Sequence, residues 1–370
     1  MSKSSNYDTI DSIVTNLRKE WSLNMPSQIP QGKWEEPIYS KKQINYAGKI
    51  LSDRSLTTGD KKQVLEIINN WRASHAYPLN VITNNLRKNN KQAIVVQRLK
   101  RLDSIIGKLE RYPNMSLYRM GDLGGCRVIV NTINDVYDSV KKYKNSRIRH
   151  ILKRETDYIQ KPKASGYRSY HLIYEFHSDR KETYNKNMLI EIQFRTQLQH
   201  IWATAVEMMG VYSNTALKSS MGDEKVLRFF VLVSSVFAKM ENMPICPGTS
   251  DDYNELVREI KEIDNDIHIV HTLSHLNVLI EHSDSMRTDN HKKISYYVLV
   301  QKYEKKIITI YPFSSHEIDL ATATYNKLEE KFSENVVLVS ATSFDNLKAA
   351  YPNYFVDIGK FIEIMRRILA

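Results

Sequence analysis

The stretch MLIEIQFRT, Met188–Thr196, alternates apolar and polar residues from Ile190 onward. Successive side chains on a strand point to opposite faces. Ile190, Ile192 and Phe194 therefore share one face, and Glu191, Gln193 and Arg195 share the other, spaced about 7 Å apart. One face is a core surface; the other displays a carboxylate, an amide and a guanidinium. SYHLIYEF just upstream repeats the pattern, with Leu172, Tyr174 and Phe176 opposed to His171, Ile173 and Glu175. CRVIV sets Cys126, Val128 and Val130 against Arg127, with Asp122 just before it across LGG, and RHILKRETDY holds a further strand. Helices are expected over 134–144 and from Thr196 onward, where Thr196 and Gln199 form a capping box. Strands interleaved with helices predict an α+β fold, a mixed sheet flanked by helices, over residues 56–215.

Outward from that domain, residues 1–55 read as a helical extension (a helix over 8–21) and a turn-rich linker, SLNMPSQIPQGKWEEP. A helix begins at Thr58, with Val64, Leu65, Ile67, Ile68 and Trp71 on its apolar face, and Pro78 is expected to break it. A second, basic helix is expected from Leu79 to Leu109. Within it QRLKRLDSIIGKLER aligns Leu99, Leu102, Ile105, Ile106 and Leu109 as a stripe, with Arg98, Lys100, Lys108 and Arg111 on its flanks. Residues 216–285 read as a helical connector, acidic in the middle. Residues 286–370 read strand, strand, helix, strand, helix, a small α+β module of its own.

Charge divides unevenly along the chain. Residues 1–200 carry 35 Lys and Arg against 19 Asp and Glu, whereas the remainder carries 18 against 23. The basic half suits polyphosphate or nucleic acid as a partner. No window reaches the roughly 18 apolar residues of a membrane helix, and the N-terminus has no apolar signal core. Cys126 and Cys246 stand far apart without metal-type spacing, which fits a reduced cytoplasmic compartment.

KPKASGYRSYHLIYEF, Lys161–Phe176, crowds cations and rings around Gly166 at the mouth of the sheet. Taken with QRLKRLDSIIGKLER, DLGGCRVIV and EIQFRTQLQHIWA, in this order over roughly Gln97–Ala203, it resembles the synthetase domain of the RelA/SpoT alarmone-synthetase family. The resemblance implies a nucleotidyltransferase-like mixed sheet and transfer of the β,γ-diphosphate of ATP to a ribose 3′-hydroxyl, usually that of GDP or GTP. Residue by residue, it implies that Arg98, Lys100, Ser104, Lys108, Arg111 and Arg127 hold ATP. It implies that Asp122 ligates magnesium and that Glu191 is the second essential carboxylate, either supporting the metal or accepting the hydroxyl proton. Lys163, Tyr167, His171, Gln193, Arg195 and His200 form the acceptor side, with Tyr167 stacked on the base. Magnesium is a hard cation that prefers oxygen donors, ATP needs its charge neutralised during attack, and a tyrosine face adds about 1–3 kcal/mol of base stacking. Trp202 and Glu207 stand one residue further apart than in many relatives; one step turns a helix by about 100°, so Glu207 is not carried over. No His-Asp pair of the family's hydrolase domain stands upstream, so synthesis without degradation is expected.

Two other functions compete with the alarmone reading. Some relatives of this family are toxins that place diphosphate on the 3′-end of tRNA, and the basic half of this chain suits that acceptor as well. A non-catalytic nucleotide sensor or RNA-binding module is the third reading, opposed by the presence of both Asp122 and Glu191. The acidic C-terminal part is expected either to dock in cis on the basic half and restrain it, or to serve homo-oligomerisation or an unidentified protein partner.

Overall fold

The structure, a computed structural model, describes residues 34–52, 58–212, 222–276, 281–282, 294–302, 307–331, 335–351 and 358–370. The helix expected over residues 8–21 lies outside them. In chain order the elements begin with α1 (Lys41–Ser52), α2 (Thr58–Ser74), α3 (Ala76–Asn89), β1 (Ile94–Leu99), α4 (Leu102–Arg111), β2 (Gly124–Val130) and α5 (Ile133–Lys144). They continue with β3 (Ile151–Asp157), β4 (Tyr170–Glu175), β5 (Leu189–Thr196), α6 (Gln197–Tyr212), α7 (Glu224–Met240), α8 (Tyr253–Ile267) and α9 (Ile269–Leu276). The last part holds β6 (Glu281–His282), β7 (Ile294–Lys302), β8 (Ile307–Ser314), α10 (Ile318–Lys331), β9 (Asn335–Ser340), α11 (Phe344–Ala350) and α12 (Gly359–Leu369).

The strands form a single mixed sheet in the order β3-β4-β5-β2-β1-β9-β7-β8-β6. β2 runs parallel to β5, with Gly125 opposite Glu191 and Arg127 opposite Gln193. β4 runs antiparallel to β5 and places His171 opposite Gln193. The strands of the C-terminal part extend this sheet: β9 pairs with β1 through Gln97–Ser340 and Arg98–Val339, and with β7 along its length.

The alternation read from the sequence has a direct physical counterpart. Ile190, Ile192, Phe194, Leu172, Tyr174, Cys126, Val128 and Val130 all face one core, closed by Leu79, Ile82 and Leu86 of α3 and Val136, Val140 and Tyr143 of α5. On the opposite face, Val96 and Ile129 pack with Val337, Val339, Leu347 and Tyr351, so the C-terminal segment covers the sheet beside β2. A third cluster joins Trp202 of α6 to Phe229 and Phe230 of α7 and Phe361 of α12. Trp202 is thus a packing residue. No helix among the described residues is long and apolar enough to cross a membrane.

Two expectations are corrected here. The single helix expected over Leu79–Leu109 is helix, strand, helix. Asn90 ends α3, with its side-chain amide donating to the Leu86 carbonyl at 2.9 Å, and the β-branched run Ile94-Val95-Val96 then enters the sheet. Gln97, Arg98 and Leu99 therefore belong to a strand, and only the positions from Leu102 onward form the amphipathic helix. Pro78 does not break a helix either. The break falls at His75, and Pro78 sits in the first turn of α3, where its missing N–H costs nothing.

Phe194 is fully buried under the site-bearing strand. Replacing Phe194 with Ala is expected to destabilise the fold by about 3–5 kcal/mol, measurable as a lowered midpoint in urea denaturation with an unchanged slope.

Candidate active site

Above the polar face of β2, β4 and β5 lies a cleft of about 510 Å³. Lys100, Lys108, Arg111, Asp122, Lys163, Tyr167, His171, Glu191 and Gln193 line it. A smaller recess of about 80 Å³ adjoins it, walled by Arg98, Gly125, Arg127 and Tyr351. Lys100, Asp122, Glu191 and Gln193 line both spaces, so the two carboxylates stand at the junction.

The first carboxylate is clamped by cations. Asp122 Oδ2 meets Lys100 Nζ at 2.9 Å and Oδ1 meets Lys108 Nζ at 2.8 Å. Burial works against its ionisation, but the two ammonium groups outweigh it and hold the carboxyl below its usual range. Lys100 is lowered by the same burial, against the pull of Asp122.

The second carboxylate belongs to a closed ring of hydrogen bonds. His171 Nδ1 stands 3.1 Å from Glu191 Oε1, and His171 Nε2 stands 2.8 Å from the Tyr167 hydroxyl. Arg195 Nη2 donates to that hydroxyl at 2.5 Å and to Gln193 Oε1 at 2.9 Å. Gln193 Nε2 closes the circuit on Glu191 Oε2 at 2.6 Å. Three members sit at alternate positions of β5 and one on β4, so the pleat itself brings them to one face. Burial pushes the Glu191 carboxyl up, yet His171 and Gln193 bring it down to about 2. Burial lowers the His171 imidazole, but Tyr167 and Glu191 raise it to about 9. The Tyr167 phenol, raised by burial, is brought down to about 7 by Arg195 and His171.

The loop that carries Lys163 and Tyr167 is built from rings and cations. The Arg195 guanidinium lies 5.1 Å and Lys163 Nζ 5.3 Å from the Tyr167 ring centre. Lys163 Nζ also lies 4.5 Å from the Tyr158 ring, and Tyr158 meets His171 edge-on at 5.2 Å. Gly166 turns the loop at φ 83°, a left-handed conformation that favours glycine. The close approach there is to the helices behind it, not to the cleft: a Cβ on Gly166 would stand 2.9 Å from Trp202 Cζ2 and 3.0 Å from Ser234 Cβ. Ser234 Oγ donates to the Gly166 carbonyl at 2.6 Å and accepts from Arg168 Nε at 3.0 Å.

The structure thus brings together Asp122, Glu191, Arg98, Lys100, Lys108, Arg111, Arg127, Lys163, Tyr167, His171, Gln193 and Arg195. It does not bring His200 or Ser104 into the lining. His200 meets the Ala349 carbonyl at 3.0 Å and lines a separate cavity against α11 and α12. Ser104 lies on α4 away from the cleft walls. Sequence reasoning missed Tyr158, for which DYIQ before the Lys163 loop was the available signal. It also missed Lys153, Arg154 and Arg119 on the rim, and Tyr351. No local signal marks Tyr351: the contact of Arg127 Nη1 with the Ala350 carbonyl (3.2 Å) spans 223 residues. The cis contact between the C-terminal part and the basic half is made here by carbonyls and a ring. Burial, with Arg195 and Arg98 nearby, lowers Arg127 to about 10. A cavity of about 550 Å³ opens elsewhere, between residues 35–39 and α2 with Asn326 of α10 at its edge; there Asn70 donates to Glu35 and accepts the Ile38 N–H, and Tyr39 donates to Glu66.

Known proteins are similar to part of this chain. Residues 97–216 match the model of the region found in RelA / SpoT proteins. GTP pyrophosphokinase YjbM of Bacillus subtilis (strain 168) is 35% identical over 114 residues, which are 30% of this chain and 52% of that protein. GTP pyrophosphokinase YwaC of the same organism is 33% identical over 134 residues, 34% of this chain and 62% of that protein. The chain therefore spans between half and two thirds of these relatives' length. Among solved structures, small alarmone synthetase 1 from Bacillus subtilis bound to its product pppGpp aligns at 24% identity, covering 45% of this chain and 90% of that one, with a TM-score of 0.38. A GTP pyrophosphokinase family protein from Streptococcus pneumoniae aligns at 25% identity over 59% of this chain and 98% of that one, also with a TM-score of 0.38. Over residues 97–216 the chain is similar to the synthetase region of RelA/SpoT proteins.

The ring gives a pH dependence with a defined sign. His171, ordinarily near 6.5, keeps its proton in the folded chain to about 9. Its contribution to stability is whole below about pH 6.5 and is lost as the pH rises through about 9. The stability advantage of the parent over a His171→Asn variant is expected to shrink across that window, measured by urea denaturation of both proteins at a series of pH values.

Proposed function

We propose that the chain transfers the β,γ-diphosphate of ATP to the ribose 3′-hydroxyl of GDP or GTP. The observation that carries the reading is the placement of Asp122 and Glu191 at the junction of a cation-walled recess and a ring-and-cation cleft. ATP lies with its phosphates against Lys100, Lys108, Arg111, Arg98 and Arg127. The acceptor sits in the cleft with its base against Tyr167, in place of the Lys163 ammonium that lies over that ring. The 3′-oxygen bonds to the β-phosphorus, the α–β bridge breaks, and AMP leaves.

Such a transfer is accelerated chiefly by placement and by fixed charge. The paired lysines on Asp122 are held in position to move from carboxylate to phosphate as negative charge arrives. Glu191, whose partners fix both of its oxygens, is the carboxylate available to take the hydroxyl proton; nearby triphosphate charge raises its affinity for that proton. Arg195 and His171 hold Tyr167 in place, so the base meets a surface already oriented. A magnesium ion fits this donor set, because it takes one or two carboxylates with phosphate oxygens and water. Asp122 would hold it, joined by Glu191 where that carboxylate does not take the proton, and it would neutralise charge on the transferring phosphates.

The rim favours one further reading of the acceptor. Arg154 on β3, the edge strand, together with Arg119 and Lys163, extends positive charge along the cleft wall beyond what one nucleotide needs, next to Lys153, which is paired with Glu175 at 3.0 Å. A tRNA 3′-end would use that track, each neutralised phosphate adding affinity through counterion release.

Incubating the protein with γ-labelled ATP and magnesium plus GDP, GTP or tRNA separates the two acceptors. Label on GDP or GTP is the expected result, label on tRNA alone transfers the reading to the RNA end, and label on none of them rejects the transferase. Asp122→Asn and Glu191→Gln are each expected to lower the transfer rate by about 10²–10³-fold and also to lower the urea midpoint, because each leaves buried cations less compensated; rates are therefore compared at a temperature where circular dichroism shows both variants folded.

A further inference from the structure

Helix α4 supplies Lys108 and Arg111 to the ATP side, yet it starts without a cap of its own. The residue preceding it, Arg101, is extended (φ −65°, ψ 150°) and its side chain makes no capping hydrogen bond. A ten-residue helix has four orphan N–H groups at this end and little length to compensate for them. The partner for the first of them comes from the other end of the chain. Glu329 on α10 accepts the Leu102 N–H through Oε1 at 3.0 Å.

Glu329 is itself held from two sides. Its Oε2 lies 2.5 Å from Arg72 Nη1 of α2, an ion pair whose side chains are 1% and 13% exposed. The Tyr325 hydroxyl donates to Oε1 at 3.2 Å. Arg72 is braced by Asn69 at 2.9 Å and Asn326 at 3.2 Å, and lies 4.8 Å over the Tyr325 ring. The carboxylate is therefore fixed before it meets α4, and its charge stands at the positive end of the helix dipole. Residues 318–331 lie outside the 97–216 span of the family match.

We propose that Glu329 is a positioning residue of the ATP side: by capping α4 from α10 it sets where Lys108 and Arg111 stand toward the triphosphate. The inference rests on the reading that α4 holds ATP phosphates. Glu329 touches no substrate; it acts through the helix. The C-terminal part thereby supplies a piece of the nucleotide site.

Leu102→Pro isolates the contact. It deletes the N–H at the first helical position, where proline is well tolerated, and Arg101 already has the extended conformation that proline demands of its predecessor. Leu102→Ala is its control, losing the side chain and keeping the donor. Glu329→Ala removes the acceptor; should the uncompensated Arg72 prevent it from folding, Leu102→Pro carries the test alone. Two readouts are taken on the full chain: amide hydrogen exchange across 102–111, and calorimetric dissociation constants for the α,β-methylene analogue of ATP and for GDP. In Leu102→Pro and Glu329→Ala, exchange in α4 is expected to quicken and the ATP-analogue constant to rise about fivefold, with the GDP constant unchanged and the double variant no weaker than the weaker single one. Leu102→Ala is expected to match the parent in both readouts. Unchanged exchange in Leu102→Pro, equal analogue affinity, or an equal loss of GDP affinity overturns the proposal. A parent protein that binds no ATP analogue overturns the reading of the site, whereas a parent that binds it beside variants that bind it equally well overturns the role of Glu329 alone.

Discussion

The circuit Glu191–His171–Tyr167–Arg195–Gln193 is the interaction on which the site depends. Each member is a group that would be costly to bury alone, and each has a partner that makes burial tolerable. Closure matters more than any single bond. Gln193 could rotate its amide freely were it not fixed by Arg195 on one side and Glu191 on the other. Glu191 could turn away from the cleft were it not gripped through both oxygens. The circuit converts flexible side chains into a rigid charged surface, the form in which electrostatic catalysis costs least reorganisation.

Strand geometry underlies that arrangement, and this part was legible in the sequence. Alternation in MLIEIQFR and SYHLIYEF assigned each residue to its face without any long-range knowledge, because a strand's period of two leaves no freedom. The error over Leu79–Leu109 has an equally physical cause. Leu99, Leu102, Ile105 and Ile106 satisfy a helical spacing although Leu99 belongs to β1, since a strand end and a helix start can share one apolar stripe by coincidence. The β-branched run at 94–96 carried the contrary signal. His200 was misplaced for another reason: it follows the strand motif closely, but α6 turns it away toward Ala349. Contacts such as Arg127 with Ala350 and Leu102 with Glu329 join residues more than two hundred positions apart, and no local pattern encodes them.

The C-terminal strands and helices alter how the family-matched region is to be understood. β9 pairs beside β1, α11 covers Val96 and Ile129, and Tyr351 stands in the wall of the recess with Arg98 and Arg127. α10 reaches α4. Helix α4 and the recess beside Arg98 and Arg127 are therefore contacted by residues beyond 300, while the Tyr167 wall of the cleft is built within the matched span and backed by α7.

That backing at Gly166 has a kinetic corollary. With Trp202 and Ser234 pressed against the turn and its carbonyl held by a serine on α7, the ring of Tyr167 has no private hinge. A displacement of that turn must carry with it, or part from, a seventeen-residue helix, so the backbone of the aromatic wall moves against packed side chains and not as a free loop tip.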